Sequence, residues 1–131
     1  MSEVDINVFQ KLDIRIGTVV SADVPEWSHW VMRMTVDFGT ELGERTIFSG
    51  IMKFYKPEEL IGKQFPFVIN LKPKRIGPAN EAGEYEYSQG MMLMATPPAV
   101  QDGGQAEGDD EETRPILFQL TESVPNGSQV H

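Results

Sequence analysis

The sequence of 131 residues contains no cysteine and only two histidines, His29 and His131. The absence of cysteine excludes a disulfide framework, a thiolate metal site and a cysteine nucleophile. Two isolated histidines provide neither a Ser-His-Asp arrangement nor a helical pair of metal ligands. The sequence therefore indicates that the protein is not an enzyme, and we expect it to hold no metal and no other cofactor.

Long hydrophobic runs are also missing from the sequence. No apolar stretch approaches the roughly 18 residues of a membrane span, and the N-terminus lacks the basic start and apolar core of a signal peptide. We therefore expect a cytoplasmic protein without a membrane partner. The length predicts a single domain over residues 1–131. Its composition of glycine and acidic residues predicts a mobile acidic loop at about 101–113.

Positive charge is scarce, since 11 basic residues face 20 acidic ones for a net charge of −9. This balance argues against non-specific coating of nucleic acid. The distribution is uneven, however, because residues 43–75 hold seven bases and three acids, whereas residues 76–114 hold one base and nine acids. The basic middle of the chain is a candidate surface for an anionic partner, although an ordinary solvated surface explains the same clustering.

Alternating apolar and polar residues predict a β protein. Between the third and fourth predicted strands, Pro57, two glutamates and Gly62 carry the signals of a short helix. A second short helix is predicted after Asp5. Pro66 has no N–H to donate to a neighbouring strand, so the fourth strand is predicted to begin at an edge or a bulge. This order predicts an all-β, five-stranded OB-fold barrel with short terminal extensions. The predicted strands are 13–22, 32–38, 45–51, 65–71 and 90–96, with a further short strand at 116–120.

An OB-fold barrel binds nucleic acid across a groove that needs cations for phosphates and polar groups for base edges. The end of the fourth predicted strand offers such a set of side chains, and the segment before the helix adds another base. The candidates from this reasoning are Lys53, Asn70, Lys72, Lys74 and Arg75.

An adaptable apolar surface for peptides is the alternative, because methionine accommodates varied partners and exposed tryptophans anchor them. Core packing explains the same residue types, and we keep both interpretations open. The candidates for peptide binding are Phe48, Met32, Met34, Met92, Trp27 and Trp30.

Seven stretches, in this order, resemble the tRNA-binding-domain family. They are "FQKLDIRIGTVVSA", "VDFGTELG", "SGI", "YKPEELIGKQ", "NLKPKRIG", "SQGMML" and "VPNGSQV". The family includes appendages of methionyl-tRNA synthetases, free-standing dimeric tRNA-binding proteins and CsaA-type export chaperones. The resemblance implies an OB barrel and a homodimer that pairs through both chain ends.

The same resemblance implies a set of RNA-binding residues and partners. The groove is implied to contain Ser49 and Gly50 of "SGI", together with Asn70, Lys72 and Lys74 of "NLKPK". From "SQGM" it adds Ser88, Gln89, Gly90 and Met91. The implied partner is tRNA or another structured RNA, with an aminoacyl-tRNA synthetase as a further partner. The CsaA-like features imply unfolded or pre-secretory polypeptides as the alternative ligand.

Overall fold

A computed structural model describes residues 1–98 and 113–131 of the chain. The predicted acidic loop therefore lies outside the described residues, apart from Thr113. A short helix α1 (Ile6–Phe9) precedes the sheet, and a 3-10 helix η1 (Pro57–Glu59) separates the third and fourth strands. The strands of the described residues are β1 (Ile14–Asp23), β2 (Met32–Asp37), β3 (Glu44–Ser49), β4 (Gln64–Val68), β5 (Lys74–Ile76), β6 (Glu86–Ser88), β7 (Met91–Met92), β8 (Met94–Ala95), β9 (Ile116–Leu117) and β10 (Gln129–Val130).

The ten-residue strand β1 organises the main sheet, whose order is β3-β2-β1-β4-β7 with β10 added at the start of β1. Its first half pairs with β4 and β10, and its second half pairs with β2. A register shift between Val19 and Ser21 marks the transition, and such irregularities bend a strand. The sheet curls into a nearly closed barrel, and the predicted OB-fold with a helix between strands three and four is confirmed.

The core follows from the alternation of side chains along the strands. In β2, Met32, Met34 and Val36 are fully buried while their neighbours are partly exposed, as a strand with one face in the core requires. Phe38 and Phe67 meet edge to face at 5.5 Å between ring centroids. These contacts fill the barrel interior with apolar side chains.

Several predicted boundaries are wrong. The fifth predicted strand divides into β7 and β8, because the chain leaves β4 after Met92 and pairs with β9 from Met94. For Pro66 the prediction agrees with the structure, because β4 pairs with β1 from Gln64 but with β7 only from Phe67, so the β7 side of Pro66 is an edge. It is tolerated because the ladder to β7 covers Phe67 and Val68 and ends where the Leu93 N–H donates to the Pro66 carbonyl.

The basic and acidic stretch after β4 forms a hairpin of two short strands that the sequence pattern did not predict. Strands β5 and β6 pair with Arg75 opposite Tyr87, and residues 77–85 connect them. Asn80 closes the tip, since its side-chain oxygen accepts the N–H groups of Ala82 and Glu84. Within the described parts of the chain, no helix has the length and apolar character needed to cross a membrane.

Candidate nucleic-acid interface

Side chains of the "SQG" stretch close the barrel against β3. The Phe48 N–H donates to Ser88 Oγ at 2.9 Å, and that hydroxyl donates to the Gly90 carbonyl at 3.0 Å. The Thr46 N–H donates to Gln89 Oε1 at 2.8 Å, while the Gln89 N–H donates to the Thr46 carbonyl at 2.8 Å. Two side chains thus satisfy backbone donors that a neighbouring strand would otherwise satisfy. We call this contact the seam.

Gly90 allows the seam to close tightly. A Cβ at this position would lie 2.9 Å from the Val68 carbonyl oxygen and 3.0 Å from Ile47 Cδ1. A larger residue would therefore push the "SQG" stretch away from both strands.

The polar residues predicted to contact RNA are largely engaged in holding the barrel. The Asn70 amide donates to the Lys11 carbonyl at 2.7 Å and accepts from the Asp13 N–H at 2.8 Å, which ties the end of β4 to the segment before β1. Ser49 and Ser88 are buried. Gln89 is exposed, and its Nε2 donors have no partner among the described residues. Of these four, Gln89 therefore presents donor groups to solvent.

The predicted basic residues lie on the surface but do not form one cluster. Lys53, Lys72, Lys74 and Arg75 are all exposed. Adjacent residues of a strand point to opposite faces, so Lys74, paired with buried Ser88, and Arg75 belong to different faces of the hairpin. The hairpin therefore carries positive charge on both sides.

The face that carries Arg75 also carries two tyrosines that sequence reasoning missed. The Arg75 guanidinium carbon lies 4.2 Å from the Tyr85 ring centroid, and Tyr87 is directly opposite Arg75. Both rings are exposed, Tyr85 at 40% and Tyr87 at 47%. The signal was the alternation in "EYEYS", which places residues 85 and 87 on one face once the segment is recognised as strand. Arg75, Tyr85 and Tyr87 form what we call the aromatic face.

Glu86 projects from the opposite face of the hairpin and is paired with Arg33. Arg33 Nη1 donates to both carboxylate oxygens of Glu86, at 2.8 and 2.7 Å, while its Nε and Nη2 donate to Asp23. The hydrogen bonding with Asp23, followed by that with Glu86, raises the pKa of Arg33 above its ordinary value despite partial burial. The pairing fastens the hairpin to β2 and offsets one acidic charge close to the lysines.

An open groove of about 570 Å³ lies between the hairpin and β3. The described residues that line it are Thr46, Pro73, Glu86, Tyr87 and Gln89. Within the described residues, no group of three or more histidine, cysteine, aspartate or glutamate side chains could hold a metal ion. The described residues at the groove therefore include an exposed aromatic residue and an exposed amide, and they form no such metal site.

Most of the residues proposed for peptide binding are in the core. Met32 and Met34 have no exposed surface, Met92 is 3% exposed and Phe48 is 7% exposed. They cannot contact a peptide in this conformation because barrel packing covers them.

The two tryptophans differ in their surroundings. The Trp27 ring packs so closely over Gly77 that a Cβ there would lie 2.5 Å from it, and it also contacts Phe48. Trp30 meets Trp27 edge to face and is 53% exposed. Trp27 therefore supports the hairpin, whereas Trp30 is available to a partner. Met91, from the RNA-binding set, is also exposed.

Comparison with known families decides the affiliation. The family model "Putative tRNA binding domain" matches residues 14–129. The chain belongs to the tRNA-binding-domain family. This family accounts for the barrel, the seam stretch and the basic segment after β4 within one matched region.

Individual relatives of the family agree over nearly the whole chain. The methionine–tRNA ligase of Clostridium tetani is 34% identical over 128 residues, covering 98% of this chain and 17% of the ligase. A MetRS-related protein from Pyrococcus horikoshii has a TM-score of 0.75 at 33% identity, with both chains covered completely. The chaperone CsaA from Bacillus anthracis has a TM-score of 0.73 at 31% identity, covering 99% of this chain and 100% of its own. The chain thus spans less than a fifth of the ligase's length.

We predict that Ser88→Ala destabilises the fold by about 1–3 kcal/mol, because it leaves the buried Phe48 N–H without its acceptor. Urea unfolding followed by circular dichroism measures the change. Ser21→Ala is the matched control, since Ser21 is exposed on β1 and makes no side-chain hydrogen bond within the described residues. Equal stability of the two variants would contradict the structural role of the seam.

Proposed function

We propose that the protein is a homodimeric OB-fold module that binds structured RNA, with tRNA as its main ligand, and that it acts in the cytoplasm. Family membership supports tRNA binding. The observation that carries the assignment of the surface is the position of Lys72 and Lys74. Both are exposed where β4 leads into the hairpin, and neither forms an ion pair with another described residue.

So acidic a chain can bind RNA only if the carboxylates near the lysines do not cancel the positive potential that the lysines produce. Glu86 is paired with Arg33, and Arg75 adds a cation on the aromatic face. Glu81 and Glu84 lie at the hairpin tip, away from the end where Lys74 is located. A local positive surface on a negative protein attracts phosphate at short range because salt screens the more distant acids over roughly 8–10 Å.

Recognition of shape follows from which groups remain available. The side chains of Asn70 and Ser88 are hydrogen-bonded within the protein, so the exposed lysines provide most of the contacts. Lysines neutralise phosphates and carry no sequence information by themselves. We therefore propose that the module recognises the arrangement of phosphates in a folded RNA.

We predict that the double reversal Lys72→Glu and Lys74→Glu weakens tRNA binding at least tenfold at low salt. It should also flatten the slope of log affinity against log salt concentration by about 0.7–0.9 for each phosphate that the protein no longer neutralises. Fluorescence anisotropy with labelled tRNA over a salt series measures both quantities.

The control for charge alone compares the single variants Lys72→Glu and Lys63→Glu. Lys63 is also exposed but precedes β4, whereas Lys72 follows it, so the two lysines lie beyond opposite ends of the strand. Lys63→Glu should bind tRNA nearly as the parent does. If both single variants lose affinity equally, the site assignment is wrong.

The proposed homodimer is supported by the apolar surface of α1. No residue of this helix is buried, and Ile6, Val8 and Phe9 are exposed, as is Leu12 after it. Strand β10 pairs with Ile14 at the start of β1, which brings the C-terminal strand close to α1. A second copy packing on this end of the barrel would remove the apolar side chains from water.

We predict that Phe9→Glu shifts the protein from dimer to monomer, because a carboxylate in an apolar interface loses its hydration. Light scattering after size-exclusion chromatography should then report one chain mass of 14.7 kDa rather than twice that mass. Glu3→Gln, at an exposed position before the helix, is the control and should remain dimeric. A parent protein that elutes as a monomer would contradict this part of the proposal.

Binding of unfolded or pre-secretory polypeptides is the second candidate function. It is favoured by the similarity to the chaperone CsaA and by the 53% exposure of Trp30. Four of the residues predicted to bind peptides are buried, namely Met32, Met34, Met92 and Phe48. The apolar surface available to a polypeptide is therefore much smaller than the sequence predicted for this function.

The chaperone candidate predicts that the protein suppresses aggregation of an unfolded model protein, with little dependence on salt because apolar contacts are weakly screened. Trp30→Ala should reduce this effect, whereas His29→Ala, at the exposed neighbouring position, should not. Light scattering during dilution from denaturant measures it. Suppression no better than that of an inert acidic protein would eliminate this candidate.

Similarity to methionine–tRNA ligases also supports a synthetase as a partner in a shared tRNA complex. We further propose that residues 1–131 form one domain. In support, β10 near the end of the chain is paired with the first strand of the barrel.

A further inference from the structure

We propose that Arg33, on the barrel strand β2, is a positioning residue for RNA binding that acts without contacting the RNA. It holds the Glu86 side chain and neutralises its charge beside the lysines of the candidate interface. This inference rests on the proposed function and adds a residue that lies outside the segments from which the RNA-binding candidates came.

The first argument is the position of the Glu86 carboxylate relative to the lysines. In the register of the hairpin, Lys74 and Glu86 are diagonal neighbours, so their side chains lie on the same face. The Cα atoms of such a pair are about 7–8 Å apart. Glu86 also lines the groove together with Pro73, which separates Lys72 from Lys74 in the chain. A Glu86 carboxylate without a cation beside it would therefore repel a phosphate that approaches either lysine.

The second argument is that salt does not remove a repulsion over this distance. Screening between exposed charges takes effect over roughly 8–10 Å, so a phosphate bound at Lys74 still experiences the charge of Glu86. The other glutamates of the hairpin, Glu81 and Glu84, lie at its tip, away from the end with Lys74. Of the three hairpin glutamates, Glu86 therefore has the greatest effect on the potential at the lysines.

The third argument is the way in which Arg33 is held. Its Nε and Nη2 donate to the two carboxylate oxygens of Asp23 at 3.0 and 2.6 Å, and its Nη1 donates to both oxygens of Glu86. The double contact with Asp23 fixes the plane of the guanidinium and directs Nη1 at the hairpin. Each of the three nitrogens already donates to a carboxylate, so the influence of Arg33 on RNA passes through Glu86.

The partial exposure of this network favours an electrostatic role over a mainly structural one. The side chains of Arg33, Glu86 and Asp23 are 31%, 38% and 54% exposed, and ion pairs at such positions add little stability. The hairpin is also held by the seam and by the packing of Trp27 over Gly77. Loss of Arg33 should therefore leave the hairpin in place while the charge of Glu86 is no longer neutralised.

The test measures tRNA binding at low salt, by fluorescence anisotropy, for the parent, Arg33→Gln, Glu86→Gln and the double variant. Arg33→Gln should weaken binding by about fivefold, as one additional negative charge at this distance would. Glu86→Gln should bind at least as tightly as the parent. The double variant should return to within about twofold of the parent, because the carboxylate that needed Arg33 is absent.

Two further variants serve as controls. Lys63→Gln removes one positive charge from an exposed position beyond the other end of β4 and should lose less affinity than Arg33→Gln. Arg33→Lys keeps a cation beside Glu86 and should stay within about twofold of the parent. It remains informative if Arg33→Gln does not fold, and urea unfolding midpoints are measured for every variant.

A double variant as weak as Arg33→Gln would overturn the inference, because Arg33 would then contact the RNA or only support the fold. Equal losses in Lys63→Gln and Arg33→Gln would overturn it too, as would an Arg33→Lys variant as weak as the single variant Lys72→Glu. In each of these cases tRNA binding by the parent, and with it the proposed function, persists. Failure of the parent to bind tRNA at low salt would instead overturn both.

Discussion

The candidate nucleic-acid face depends on the hydrogen bonds that Ser88 and Gln89 make with β3. A curled sheet leaves the backbone groups of its outer strands without partners, and a buried donor without an acceptor costs about 1–3 kcal/mol. At the seam two side chains accept the Thr46 and Phe48 N–H groups. Closing the barrel in this way needs no long strand, so the chain can pass from the seam directly into β7 at Met91. The hairpin, the groove and the end of β4 all take their positions from this contact.

Few polar groups remain for ligand recognition, because most polar residues of the candidate site hold the barrel together. Asn70, Ser88 and Gln89 are polar residues of the kind that read base edges, yet their principal contacts are within the protein. The groups left exposed are cations, tyrosines and one fixed amide. Under the proposed function, such a surface would respond mainly to the arrangement of phosphates, because lysines carry no sequence information by themselves. The acidic character of the chain as a whole is compatible with this, because the nearest glutamate of the hairpin is already paired with Arg33.

The sequence predicted the barrel well because apolar and polar residues alternate along β1 to β4 and turn-forming residues separate these strands. It predicted the site less well for two physical reasons. Side-chain chemistry does not reveal whether an asparagine or serine is satisfied internally, so Asn70 and Ser88 were assigned to RNA. Strands β5 and β6 have only three residues each, too few for a clear alternation, so the hairpin that exposes Tyr85 and Tyr87 was missed. Burial of Met32 and Met34 follows from the alternation in β2, which outweighs their chemical suitability for peptides.

The pairing of β10 with the first residues of β1 has a consequence for the order of folding. Val130 and Ile14 are partners although nearly the whole chain separates them, and Arg15 also donates to the Gly127 carbonyl. Contacts between distant residues require closure of a long loop, which slows folding. Strands β1 to β4 need only residues 14–68 and can pair while synthesis continues. Strand β10 adds to a sheet that already exists, so the barrel is complete only after residues 129–130 have been synthesised and have paired with β1.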